Sequence, residues 1–321
     1  MQSAVPLPAG VQVFERGWLS SNNILMRGPS HAALVDSGYV AHAAQTLALV
    51  DAALMGQPLD TLLNTHLHSD HCGGNAALQK KHPLLATWIP PGNAQAVGAW
   101  DEDALTFKAT GQSCDRFAFT HTLVPGFTIR LGAQDWEIHA APGHDPDAVM
   151  LFEPETKTLI SADALWHNGF GVVFPELEGR DAFDAVGDSL DLCETLAPRV
   201  VIPGHGAPFM DVNEAIARAR SRLAYLRRGT PAINHCLYAA KVLLKFHLLE
   251  HQQVTLANAS NWLCRMPYFT LIAPTLASHV EQTSATAEKA TPQAIALWLA
   301  QQLCASGAAR LDQATQQLIN Q

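Results

Sequence analysis

Thr65-His66-Leu67-His68-Ser69-Asp70-His71 places three histidines and an aspartate within six residues. Imidazole and carboxylate are the usual ligands of zinc and related first-row ions, so this run reads as a metal-ligand cluster. Leu59-Asp-Thr-Leu-Leu-Asn-Thr before it reads as a buried strand, and Gly73-Gly74-Asn-Ala-Ala-Leu after it as a loop entering a helix. A strand-to-helix loop is where α/β proteins often carry chemistry. On such a loop His66 and His68 can grip one metal while Asp70 and His71 reach toward a second. Three later segments repeat one pattern: a strand, small or turn residues, then a ligand-type side chain. They are Pro142-Gly143-His144 after Trp136–Ala141, Asp163 after Thr158–Ala162, and Pro203-Gly204-His205-Gly206 after Val200–Ile202. The glycines permit tight turns that aim the side chain off the strand end. The seven candidates are His66, His68, Asp70, His71, His144, Asp163 and His205, enough for two metals with one carboxylate shared.

His66-Leu-His-Ser-Asp-His71 has the HxHxDH form, and with His144, Asp163 and the Pro-Gly-His-Gly turn at His205 in order and spacing the set resembles the metallo-β-lactamase superfamily, in its dinuclear hydrolase branch. The resemblance covers roughly residues 11–228. It implies that His66, His68 and His144 bind one metal, that Asp70, His71 and His205 bind the other, and that Asp163 bridges them. Asp36, which ends Ala33-Leu-Val-Asp, matches a position that supports the site from behind the ligands. The implied cofactors are two divalent ions, zinc first, with iron or manganese as alternatives. A bridging hydroxide would be the nucleophile. Asp70 would orient it while ligating, and His167 in Trp166-His-Asn-Gly-Phe-Gly171 would protonate a leaving group.

Substrate class is narrowed by what the chain has and lacks. True β-lactamases of the family lack the bridging aspartate, persulfide-oxidising relatives use one iron, and ribonuclease-type relatives need a basic surface. A thioester or other ester, as in glyoxalase II, is therefore expected. A lactone or phosphodiester hydrolase, a mononuclear iron persulfide dioxygenase-like enzyme and a non-enzymatic metal-dependent regulator stand as alternatives. Asp145-Pro-Asp147 follows His144 where many relatives carry Thr-Pro-Gly, and two extra carboxylates disfavour an anionic substrate group there. Cys72, directly after His71, reads as packing, with a redox-sensitive thiol as the sharper alternative.

The positions around these residues read as the elements that hold them. Strands are expected over 11–36, a helix over 40–54, a strand over 84–89, a loop-rich stretch over 101–120 and strands over 121–162. A helix over 181–196 with Asp181 as N-cap, a strand at 199–202 and a helix over 211–228 complete an α/β pattern. Two runs of strands interleaved with helices imply two packed sheets with helices outside, the αββα sandwich the resemblance also implies. Gly229-Thr230-Pro231 divides a catalytic domain, 1–228, from a mainly helical domain or cap, 229–321, with helices over 232–250 and 292–306 and a loop from Thr283 to Pro292. The second part loosely resembles the winged-helix-like appendage of some superfamily members, which walls the active site or forms a homodimer contact.

Of the 15 histidines, His31, His42, His82, His121, His139, His235, His247 and His251 read as surface or packing residues. The arginines at 218, 220, 222, 227 and 228 read as a solvated helix face, or as a site for an anionic substrate tail. A net charge of −9 argues against broad nucleic-acid binding. Six scattered cysteines without a CxxC pair suggest reduced thiols and a cytoplasmic location. The N-terminus lacks the pattern of a signal peptide and no apolar run reaches membrane-spanning length, so no membrane contact is expected.

Overall fold

A computed structural model of the protein describes residues 5–229, 232–283 and 290–321. The chain forms two compact units. The first comprises the chain up to Phe107, Gln112–Gly171 and Asp181–Leu223; the second takes Lys108–Gly111, Val172–Arg180 and the chain from Ala224.

The first unit is built on two sheets. One has the order β1 (Val11–Phe14), β2 (Asn23–Arg27), β3 (Ala32–Val35), β4 (Thr61–Leu63), β5 (Ala86–Ile89) and β6 (His121–Thr122). The strands that follow are β7 (Thr128–Leu131), β8 (Gln134–Ala140), β9 (Val149–Glu153), β10 (Thr158–Ala162) and β11 (Val200–Pro203), and they form the second sheet in the order β11-β10-β9-β8-β7. Side chains alternate across a strand, so an apolar row forms wherever the register aligns equivalent positions. Ile24 pairs with Val35, and Val35 with Leu63. In the other sheet Ile138 pairs with Leu151, Leu151 with Ile160, and Ile160 with Ile202. Both rows join one buried cluster with Trp136, which forms the core between the sheets.

The intervening residues Leu25, Leu34 and Leu62 face the other way and pack with Val50 and Leu54 of helix Ala43–Leu54 and Leu78 of helix Asn75–Lys81. On the second sheet Cys193 of helix Phe183–Leu196 lies 3.6 Å from the Met150 sulfur. Strands Ala32–Val35 and Val200–Pro203 are covered on both faces, which is why they read as unbroken apolar runs. The αββα sandwich expected from the sequence is the fold that forms.

Strand direction gathers the candidate residues. β3, β4 and β5 run parallel, as do β10 and β11. β8 and β10 are each antiparallel to β9, so they share a direction. The residues after the carboxyl ends of β3, β4, β8, β10 and β11 are Asp36, the His66–His71 run, His144, Asp163 and His205. The main-chain N–H of Val149 donates to Thr65 O at 2.8 Å, and Asn22 N–H to Gly204 O at 2.7 Å, which ties the two sheets together at this edge.

Local details depart from the sequence expectation. The helix expected from Asp181 begins at Phe183 with Ala182 at the N-cap, one residue on, and no side chain caps it. The loop-rich stretch contains a short helix, Phe107–Thr110, and helix Ala94–Ala99 precedes it.

The second unit contains helices Ile233–His251, Leu256–Leu263, Pro267–Thr283 and Pro292–Ala305, with a three-stranded antiparallel sheet of β12 (Gln253–Thr255), β13 (Ala309–Asp312) and β14 (Gln317–Asn320) in the order β12-β14-β13. Two of these helices start on threonine caps: Thr255 Oγ1 accepts from Asn258 N and Thr291 Oγ1 from Ala294 N, both at 3.2 Å, with Pro292 opening the latter helix. Val172 and Leu177 pack with Leu243, Phe269 and Leu299 in its core, which brings 172–180 into this unit. The region is mainly helical, as anticipated, with a small antiparallel sheet beside the helices. Most of the loop expected between Thr283 and Pro292, and Thr230-Pro231 at the expected boundary, lie outside the described residues. No helix among the described residues is long and apolar enough to cross a membrane.

Trp136 is fully buried between the sheets. Trp136→Ala is expected to destabilise the protein by about 3–5 kcal/mol, the range for emptying a large aromatic site in a core. A denaturant midpoint unchanged from wild type would contradict this packing.

Candidate metal centre

All seven ligand-type residues from the sequence converge, each 8% exposed or less. Three groups have ligand atoms lying within 4.8 Å of one another: His66, His68 and His144; Asp70, His71 and His205; and His66, His71 and Asp163. His68 Nδ1 and His144 Nε2 come within 2.8 Å, and His205 Nε2 lies 3.1 Å from Asp70 Oδ2. Asp163 lies between the first two groups, with Oδ1 3.4 Å from His71 Nε2 and Oδ2 3.4 Å from His144 Nε2.

The local backbone explains how so many polar groups fit. β10 bulges between Ile160 and Ala162, and Ala162 adopts a left-handed conformation (φ 47°) that turns the chain into Asp163. Such a φ at alanine costs about 1–2 kcal/mol, so the surrounding structure must impose it. A Cβ on Gly204 would stand 2.1 Å from Asp163 Oδ1, and one on Gly171 would stand 2.3 Å from His144 Nδ1. Only glycine leaves room for the carboxylate and the imidazole at these points.

A supporting layer fixes the ring orientations. Asp36 Oδ2 accepts from His71 Nδ1 at 2.8 Å, which turns Nε2 toward Asp163 and Asp70. Asp36 also accepts from Thr65 N at 2.9 Å and Thr65 Oγ1 at 2.8 Å. Asn22 Nδ2 donates to the carbonyls of Pro203 (3.0 Å) and Gly206 (2.7 Å) and so holds the His205 turn. Asn64 donates to His71 O at 3.1 Å and accepts from Asn75, which braces the first loop. The Trp166 indole N–H donates to Asp163 Oδ1 at 3.1 Å.

Burial pushes His68 down to about 4, against weaker opposition from Asp70. Burial and the neighbouring imidazoles hold His66 well below the usual histidine range. Burial alone would lower His71 too, but Asp36, Asp163 and Asp70 together hold it well above that range. Asp163 and Asp70 are buried yet sit below the usual carboxylate range because His71 and His205 stabilise their charged forms. The cluster thus sets imidazoles held neutral at His66 and His68 beside ionised carboxylates at Asp70 and Asp163, while His71 keeps a proton that a bound cation would displace. His66 Nε2 and His71 Nε2 are buried without a hydrogen-bond partner. Buried polar atoms left unpaired are costly, and at a converging histidine–carboxylate cluster they fit coordination to divalent ions.

His167 lies apart from this convergence. It is exposed, and its Nε2 pairs with the Asp211 carboxylate at 2.9 Å while its ring packs on Phe209. Asp145 is half-buried, with Oδ2 3.8 Å from His68 Nε2, and its partial removal from water raises its carboxyl. Cys72 is buried with its sulfur 3.8 Å from Cys114, and burial lifts its thiol well above the usual range. Of the arginines, Arg218 pairs with Asp211, and Arg220 with Asp191 and Glu194.

Sequence reasoning missed Trp18, whose ring stacks on His205, and the brace made by Asn22, Asn64 and Asn75. The available signal was polar: Ser20-Ser-Asn-Asn23 is an uncharged polar run just ahead of an apolar strand, and all four residues are buried.

Comparison with known proteins agrees with this geometry. The family model described as the metallo-beta-lactamase superfamily matches residues 16–205. A hydroxyacylglutathione hydrolase of Thermosynechococcus vestitus is 29% identical over 126 residues, 39% of this chain and 42% of that protein. The hydroxyacylglutathione hydrolase GloC of Haemophilus influenzae is 27% identical over 161 residues, 46% of this chain and 69% of that protein. The match to the first relative thus spans less than half of its length. Among solved structures, a metallo-beta-lactamase family protein from Thermus thermophilus aligns over 98% of this chain and 100% of its own, with a TM-score of 0.56 at 18% identity. A beta-lactamase domain protein from Burkholderia ambifaria aligns over 99% and 96%, with a TM-score of 0.54 at 20% identity. These two likenesses concern the fold.

Asp36→Asn is expected to weaken metal retention by about 10- to 100-fold, the usual effect of losing a carboxylate behind a ligating histidine. Competition against a chelator measures it, and unchanged retention would remove Asp36 from the site. The pH dependence has a definite sign. His68 stays neutral in the folded chain down to about 4, while the unfolded chain takes up its proton near 6.5. Metal-free wild type should therefore lose stability relative to His68→Gln as pH falls through that window. Thermal melts at both ends that show a constant difference would mean that His68 protonates freely in the fold.

Proposed function

Because this chain belongs to the metallo-beta-lactamase superfamily, we propose that it is a dinuclear metal-dependent hydrolase that cleaves a thioester. One observation carries the proposal: two three-residue ligand groups stand on either side of Asp163, whose two oxygens reach toward different histidines. His66, His68 and His144 would hold one ion and Asp70, His71 and His205 the other, with Asp163 shared. When bound, two such ions supply an activated water near neutral pH and positive charge for a developing oxyanion.

The chain's own residues do the positioning. The main-chain oxygen of Asp70 accepts from Ser21 N at 2.9 Å. With the loop so anchored, the Asp70 carboxylate is assigned to orient the water by accepting a hydrogen bond from it while ligating. The Trp166 N–H keeps the Asp163 carboxylate from rotating. His167, steadied by Asp211, is assigned to deliver a proton to the leaving group. A thiolate, with a pKa near 8.5, needs little such help.

Thioesters are favoured on two grounds. Relatives named hydroxyacylglutathione hydrolase match this chain at 29% identity over 126 residues and 27% over 161. A second carboxylate, Asp145, stands beside His68 and disfavours a multiply charged phosphate at that flank. Small-molecule thioesters are thus the assigned partners. A cytoplasmic setting is part of this proposal, supported by six free cysteines.

Elemental analysis of purified wild type and Asp163→Ala, alongside hydrolysis of model thioesters, tests the proposal. Expected are about two metal ions per chain, fewer in the variant, and a turnover loss of about a hundredfold or more. One iron per chain, unchanged in Asp163→Ala, with oxygen uptake in place of hydrolysis, would overturn it.

A further inference from the structure

Trp18 is 53% exposed, yet its ring lies against His205 with centroids 5.2 Å apart and planes within 10°. Trp166 stands across both rings, 5.2 Å from Trp18 at 69° and 5.5 Å from His205 at 79°. Trp166 is itself fixed by its N–H bond to Asp163. The two indoles therefore form a right-angled apolar corner beside the Asp70–His71–His205 group. The exposed part of the Trp18 indole is apolar surface beside the ligand groups, and an apolar group bound there would remove it from water. The flank at His68 is the chemical opposite: Asp145 stands half-buried there, and the Asp147 N–H donates to its Oδ1 at 2.8 Å.

We propose that Trp18 and Trp166 form the acyl-binding wall of this site and select substrates with an apolar acyl group the size of a phenyl ring. The inference rests on the hydrolase reading above and adds the substrate's acyl half to it. A reacting carbonyl carbon must sit near Asp163, between the two ligand groups. Its two substituents then diverge toward different flanks, one aromatic and one acidic. An aromatic acyl group gains edge-to-face contact in the corner, while a small polar one leaves both indoles wet. No atom of either tryptophan takes part in bond making or breaking, so both are specificity residues.

The test compares S-acetyl and S-phenylacetyl thioesters of one thiol with the metal-loaded full chain, and in parallel measures acetate and phenylacetate binding by calorimetry. In wild type, phenylacetyl should exceed acetyl in kcat/KM by about three- to tenfold, with phenylacetate the tighter ligand by a similar ratio. Trp18→Ala should bring both ratios close to one, and Trp18→Phe should restore most of each. Ratios equal in wild type and Trp18→Ala would overturn the wall. If wild type hydrolyses neither thioester, the thioester reading falls. Calorimetry then decides the wall alone: phenylacetate preferred by wild type and not by Trp18→Ala supports it, and equal preference overturns it.

Discussion

Five imidazoles and two carboxylates share one buried volume at the carboxyl ends of the strands. A volume with that content is stable only if charges alternate and lone pairs are directed. Asp36 begins that arrangement. Its carboxylate accepts from His71 Nδ1 and from two groups of Thr65, which fixes one ring and starts a chain of opposite charges running through His71 to Asp163 and Asp70. The left-handed backbone at Asp36 (φ 57°) and Ala162 (φ 47°) is the local cost of bringing those carboxylates in. Two sheets packed over Trp136 and two rows of aliphatic residues offset that cost.

The same arrangement gives the site two unlike sides. Asp145 beside His68 makes one flank acidic. Trp18 and Trp166 beside His205 make the other aromatic. The asymmetry arises because ligands enter from different strand ends, each with its own loop. Trp18 arrives on the connection between β1 and β2, Trp166 on the turn after β10, and Asp145 on the turn after β8.

Much of the molecule was legible because its signals are local. HxHxDH is a contiguous run, the Pro-Gly-His turns follow obvious strands, and alternate apolar positions mark faces that the register later aligns. What was missed depends on distant partners. Asn22 looks like any polar loop residue until its amide is seen to hold the carbonyls of Pro203 and Gly206. Trp18 is separated from His205 by most of the first unit. The small sheet of the second unit was hidden because its strands are three and four residues long, too short for a period of two to stand out. The pairing of His167 with Asp211 was equally invisible in the sequence, since 44 residues separate them.

The sequence by itself determined the ligand types, their order and the strand ends that carry them, because metal-binding chemistry constrains residue identity and glycine-rich turns constrain the local chain. Tertiary structure alone decided the distances at which the two groups implied by the resemblance stand about Asp163, which side chains brace them, and which flank is aromatic. Those properties depend on distances and burial between segments far apart in sequence. They are settled only when β8, β10 and β11 close over β3 and β4.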